Sequence, residues 1–104
     1  YDWNQSLALS KLKKLKMNFV NIAYYNKNDW GHLLSVVTDR HKMHNSWDDW
    51  FKDFIKTKTE LTLSGFNVKD IRVNVDELVD YCKLRNIKLD GKARASFVRE
   101  KEWF

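Results

Sequence analysis

A chain of 104 residues with 43% apolar, 14% aromatic and 32% charged side chains, three glycines and no proline has the composition of one folded domain. It excludes a disordered tail and the collagen-like and low-complexity classes. Nineteen Lys and Arg against fourteen Asp and Glu give a net charge of +5, which raises nucleic acid or an anionic surface as a partner. Of that charge, +3 falls in residues 1–16, through Lys11, Lys13, Lys14 and Lys16 against Asp2, and only +2 is left for residues 17–104.

Residues 1–16 read as a basic N-terminal extension ahead of Met17, the first methionine, with 17–104 as a single compact domain. Leu7, Leu9, Leu12 and Leu15 between the lysines suit an amphipathic helix, either lying on phosphates or docking its leucines on the domain. The spacing then predicts a strand over 18–25, with Val20, Ile22 and Tyr24 on one face and Phe19, Ala23 and Tyr25 on the other. After a turn at Asn26–Asn28, Asn28 is placed to cap a helix from Asp29, whose stripe is Trp30, Leu33, Leu34 and Val37. A polar link, Thr38–Asn45, leads to a second helix. Ser46 is its N-cap, Asp49 completes a capping box, and Trp47, Trp50, Phe51, Phe54, Ile55 and Leu61 form the apolar face. Residues 57–63, with Thr57, Thr59 and Thr62, would also suit a strand. Helix to about Leu63 is preferred, with Gly65 just past its end. Val68–Val75 alternates as a half-buried strand with Ile71, Val73 and Val75 inward. Asn74 and Glu77 form another capping box, opening a helix with Leu78, Val79 and Cys82 inward that stops near Asn86. A last helix starts from Asp90 as N-cap and runs through Ala93 and Phe97 into the charged segment Arg99–Glu102.

The order β-α-α-β-α-α defines a small α+β domain. Its two strands either pair in parallel or each find another partner. Two strands alone are marginal, so a homo-oligomer that pairs the free edges is expected. The aromatic-rich helix should cover the sheet, and burying its five large side chains at roughly 1.5 to 3 kcal/mol each is the main favourable term expected.

Candidate chemistry is sparse. His32, Asp39, His41 and His44 cluster in sequence, and a His-x-x-His pair can present two imidazoles to a metal; a polar interhelical loop is the plainer account. Cys82 at an apolar helical position reads as a small core residue more readily than as a nucleophile. Asp48, Asp49 and Asp53 suit the positive end of a helix and i, i+4 pairing better than acid–base work. The expectation is therefore no catalytic residue, no metal and no cofactor. Five tryptophans interleaved with Lys and Arg suit stacking on single-stranded nucleic acid or a protein-binding hot spot. Trp30, Trp47 and Trp50 fall on core stripes, while Trp3 and Trp103 should be exposed.

The segments around Trp30, Ser46-Trp47-Asp48-Asp49-Trp50, Val75-Asp76-Glu77-Leu78, Tyr81-Cys82 and Asp90-Gly91-Lys92-Ala93-Arg94-Ala95-Ser96-Phe97 resemble a group of short bacterial proteins of no assigned function, of the kind found on mobile elements and in gene cassettes. The resemblance spans roughly residues 17–100, transfers no functional residue, and implies a bacterial, cytoplasmic protein. A single cysteine also suits a reducing compartment. No run approaches the roughly 18 apolar residues of a membrane span, and the opening Tyr-Asp-Trp-Asn-Gln lacks the pattern of a secretory signal, so a soluble protein with no membrane partner is expected. The function expected is binding, through protein contacts that include self-association. The alternative is a nucleic-acid accessory protein using Lys11, Lys13, Lys14, Lys16, Arg72, Lys92, Arg94 and Arg99.

Overall fold

Local rules at the element ends account for much of the chain path. The computed structural model describes residues 19–101. The elements are β1 (Phe19–Tyr24), α1 (Trp30–Val36), α2 (Trp47–Leu63), β2 (Asn67–Arg72), α3 (Val75–Arg85) and α4 (Gly91–Glu100), with 3-10 turns at Lys27–Asp29 and Arg40–Lys42. This is the α+β order β-α-α-β-α-α. Three helices begin where a side chain takes up an N–H group with no partner inside the helix. Ser46 Oγ accepts from Asp49 N at 3.2 Å, Asn74 Oδ1 from Glu77 N at 3.0 Å, and Asp90 Oδ1 from Ala93 N at 3.0 Å. Asn28 makes no such bond. Residues 27–29 wind as a 3-10 turn instead, and α1 begins after Asp29 without a side-chain cap.

Residues 57–63 are helical, and α2 ends in a Schellman closure. Phe66 N donates to Leu61 O at 3.0 Å and Gly65 N to Thr62 O at 3.1 Å, with Gly65 at φ 95°. Asn86 does the same for α3 at φ 53°, through Ile87 N to Cys82 O at 3.0 Å and Asn86 N to Lys83 O at 3.2 Å. The second strand stops at Arg72, short of the expected Val75. The Asn74 cap redirects the chain, and Val75 is buried as the first residue of α3.

β1 and β2 pair in parallel, Phe19 opposite Asn67 through Tyr24 opposite Arg72. With side chains alternating along each strand, Val20, Ile22 and Tyr24 share a face with Val68, Asp70 and Arg72. α2 covers that face. The Tyr24 ring meets Trp50 and Phe54 edge-on at 5.9 and 5.5 Å, and Lys58 Nζ reaches Asp70 Oδ2 at 2.8 Å. On the other face Asn21 Nδ2 donates to Val98 O of α4 at 2.9 Å. There Leu33, Ile71, Val73, Leu78, Cys82, Phe97 and Val98 form the continuous core with Tyr25 and Trp30. Tyr81 joins α3 to α4, its hydroxyl donating to Glu100 Oε2 at 2.7 Å.

The main burial therefore lies on the side away from the aromatic helix, which corrects the expectation for its five large side chains. Of these only Phe54 is buried; Trp47, Trp50 and Phe51 are half-buried, and Ile55 is 44% exposed. The reason is width. Two strands about 4.8 Å apart are narrower than a helix with its side chains, about 10–12 Å across, so the sheet cannot cover the whole stripe. Among the described residues no helix is long and apolar enough to cross a membrane.

This packing sets expected mutational costs. Leu78, at 0% exposure, should lose about 2–5 kcal/mol on Leu78→Ala in urea unfolding. Leu84, at 84% exposure, should change by less than about 0.5 kcal/mol on Leu84→Ala. Gly65→Ala should cost about 1 kcal/mol, because its positive φ opposes a Cβ.

Candidate functional site

The loop between α1 and α2 is fastened to the start of α4. Thr38 N donates to Leu89 O at 2.9 Å, and the 3-10 turn that follows, closed by Lys42 N to Asp39 O at 2.8 Å, turns the Asp39 carboxylate inward. There it is buried and meets Arg94 in a two-pronged pair, Nη1 to Oδ1 and Nη2 to Oδ2, both at 2.8 Å. Gly91 N adds a third donor to Oδ2 at 3.1 Å. Arg94 lies one turn into α4, past the Asp90 cap, on the face that meets this loop. The hydrogen bonds from Arg94 hold the Asp39 carboxyl below its ordinary value. The nearby Tyr25 phenol is pushed up to about 12, chiefly by burial.

Open cavities adjoin this pair. One, of about 520 Å³, is bordered by Lys42, Lys88 and Lys92 together with Asp39, Asp90 and His41. The second, of about 420 Å³, is walled by Tyr25, Trp30 and Trp50 with Met43 and His44. Lys42, Gly91 and Arg94 border both. A third hollow of about 350 Å³ shares Asn21 and Ala95 with the second and ends at Phe19 and Arg99. The shared lining residues set the three hollows side by side along β1 and α4 in a row, termed the groove, with cationic residues at each end and aromatic rings between. Trp50 packs against Tyr25 and Trp30, each at 5.4 Å between ring centroids. Trp30 Nε1 is buried and has no hydrogen-bond partner among the described residues.

The charge in the lysine-lined cavity is unbalanced. Asp39 is neutralised by Arg94, and one oxygen of Asp90 accepts from Ala93 N. Lys42, Lys88 and Lys92 are exposed and have no ion pair among the described residues. Such a site suits an anion carrying an apolar ring.

The residues expected to contact nucleic acid separate in space. Lys92 and Arg94 come together on the groove, with Arg94 engaged by Asp39. Arg99 stands at the far end, donating to Ser96 Oγ at 3.0 Å. Arg72 ends β2 on the face that α2 covers, away from the groove. Lys11, Lys13, Lys14 and Lys16 lie outside the described residues, as do Trp3 and Trp103. Lys42 and Lys88 were not legible as site residues, since no spacing rule relates them to Lys92.

Three of the other candidates have local partners. His44 Nε2 meets Asp53 Oδ2 at 2.8 Å, and His32 Nε2 meets Asp76 Oδ1 at 3.0 Å. Asp48 meets Lys27 at 3.5 Å. Among the described residues no three His, Cys, Asp or Glu side chains gather where they could hold a metal ion. Cys82 is buried, and burial pushes its thiol up, which keeps it protonated. No protein-family model, curated protein or solved structure matches this chain.

Removing Asp39 takes the partner from a half-buried guanidinium, so Asp39→Ala should cost about 1.5–3 kcal/mol in urea unfolding, while the paired change Asp39→Leu with Arg94→Met should recover most of it. The pH dependence follows the lowered carboxyl. Its stabilisation is present above the unfolded value of about 3.9 and is lost as pH falls through the native one. The stability gap between the wild type and Asp39→Ala should therefore be flat from about pH 8 to pH 5 and close below about pH 4.

Proposed function

We propose that the chain is a non-catalytic binding protein whose groove between β1 and α4 receives single-stranded nucleic acid. The observation that carries this reading is the cluster of Lys42, Lys88 and Lys92 with no ion pair among the described residues, continuous with the half-buried Trp50. Phosphates take the lysines, and an unstacked base takes the aromatic wall. Cavities of about 350–520 Å³ have the size of small-ligand sites. Each takes one residue of a strand, whereas the bases of an intact duplex are stacked out of reach. The lone cysteine and the balanced charge of residues 17–104 suit a cytoplasmic protein.

Self-association is a second reading, supported by the two-stranded sheet, in which each strand has one partner among the described residues. Ile87 also stands exposed on a hollow lined by Val36, Val79 and Leu89. Sedimentation at micromolar concentration should show a dimer; a strict monomer would remove this reading.

Fluorescence anisotropy of a labelled single-stranded oligonucleotide tests the first. Three lysine–phosphate contacts should weaken binding about 20-fold between 50 and 200 mM salt. The Lys42→Ala, Lys88→Ala, Lys92→Ala triple variant alters exposed side chains and should fold normally while losing most of that affinity and salt response. Absence of any anisotropy change at 50 mM salt would refute the reading.

A further inference from the structure

We infer that the lysine-lined cavity is a site for a terminal phosphomonoester, so that the groove holds the phosphorylated end of a strand, or a free nucleotide, in preference to an internal phosphodiester. This inference rests on the nucleic-acid reading above and narrows it to one chemical group.

Charge matching is the main argument. The cavity is bordered by Lys42, Lys88, Lys92 and Arg94 against Asp39 and Asp90, which leaves two positive charges in excess. The Arg94–Asp39 pair is internally neutral, with both hydrogen bonds at 2.8 Å, so the excess belongs to the three lysines less Asp90. An internal phosphodiester brings a single negative charge and would leave part of this uncompensated. A phosphomonoester carries about −1.5 to −2 at pH 7 with three strong acceptor oxygens, which suits three ammonium groups and the net charge together.

The placement of the ring supports the same group. Lys42, Gly91 and Arg94 border both the lysine cavity and the aromatic one, so a phosphate on one side and a base on the other need only a sugar between them. Gly91 lies on the border that the two cavities share. A Cβ there would sit 3.6 Å from Arg94 Nη2 and 3.7 Å from Asp39 Oδ2, an ordinary contact that a folded variant tolerates but that narrows the connection. Arg94 is spanned on one edge by Asp39 and keeps further N–H donors beside the path.

The experiment measures binding of one oligonucleotide sequence to the full chain with hydroxyl ends, a 5′-phosphate or a 3′-phosphate, alongside a 5′-mononucleotide and inorganic phosphate. Tryptophan fluorescence and anisotropy provide the readouts. A phosphorylated end should tighten binding by at least about tenfold over hydroxyl ends. The gain should vanish in the triple lysine variant. Gly91→Ala should reduce the gain while leaving thermal stability unchanged or slightly raised. A mononucleotide that binds as tightly as the phosphorylated strand upholds the phosphomonoester site and makes the free nucleotide its source. Equal, salt-dependent binding of hydroxyl-ended and phosphorylated strands would overturn this inference and leave the strand-binding reading standing. Binding of mononucleotide with no strand affinity would overturn the strand reading and leave this site standing. No binding by any of the ligands would remove both.

Discussion

The pairing of Asp39 with Arg94 is the contact on which the arrangement of the groove depends. The two residues are 55 positions apart, and their pair is the polar fastening between the α1–α2 loop and α4. With the backbone bond from Thr38 N to Leu89 O, it sets Lys42, on the loop, against Lys88 and Lys92, beside and on α4. The pair is buried, where desolvating two ions costs much of what their attraction returns, so its net contribution to stability is small compared with the cost of breaking it. Its effect is on specificity. A guanidinium fork accepts a carboxylate in one plane and one register, and the Gly91 N–H to the same carboxylate ties that plane to the start of α4.

The rest of the packing explains why a groove remains open on this side. The two-stranded sheet supplies little surface, so α1, α3 and α4 assemble the core themselves, with Leu33, Leu78, Phe97 and Val98 among its buried members. α4 touches β1 through Val98 and Asn21 but does not seal along its whole length. Trp50 belongs to both regions. It packs on Tyr24 and Phe54 over one face of the sheet and on Tyr25 and Trp30 beyond the strand end, and its remaining surface lines the aromatic cavity. Its neighbour Trp47 is anchored by Nε1 donating to Tyr25 O at 2.8 Å, which fixes the N-terminal turn of α2 against the end of β1.

What was legible in the sequence follows the range of each interaction. Caps act over three residues, and Ser46, Asn74 and Asp90 are readable because the accepting side chain and the donating N–H lie in one short window. The α2 termination was readable for the same reason, once Gly65 is weighed against the strand-forming threonines. Asn28 failed as a cap because the tight turn at Lys27–Asp29 satisfied the backbone first, through Asp29 N to Asn26 O at 3.0 Å. The aromatic stripe of α2 was correctly placed on a helix, but its depth of burial depends on how much sheet lies opposite, and that is a property of the assembled fold. The groove is the extreme case. Lys42, Lys88 and Lys92 sit in segments whose local pattern is that of ordinary solvated charge, and long-range contacts, Asp39 with Arg94 and Thr38 with Leu89, bring them to one cavity.

Several features of this region carry a cost that a scaffold would have no reason to keep. The Trp30 indole N–H is buried without a partner among the described residues, a loss of about 1–3 kcal/mol that phenylalanine at the same position would avoid. Three ammonium groups bordering one cavity repel one another, weakly where water screens them over about 8 Å. Local choices that conflict with stability tend to gather where a protein binds or reacts. Here they gather along one groove, and an anion bearing a flat ring is the ligand that would relieve the charge repulsion and cover the aromatic wall in a single step.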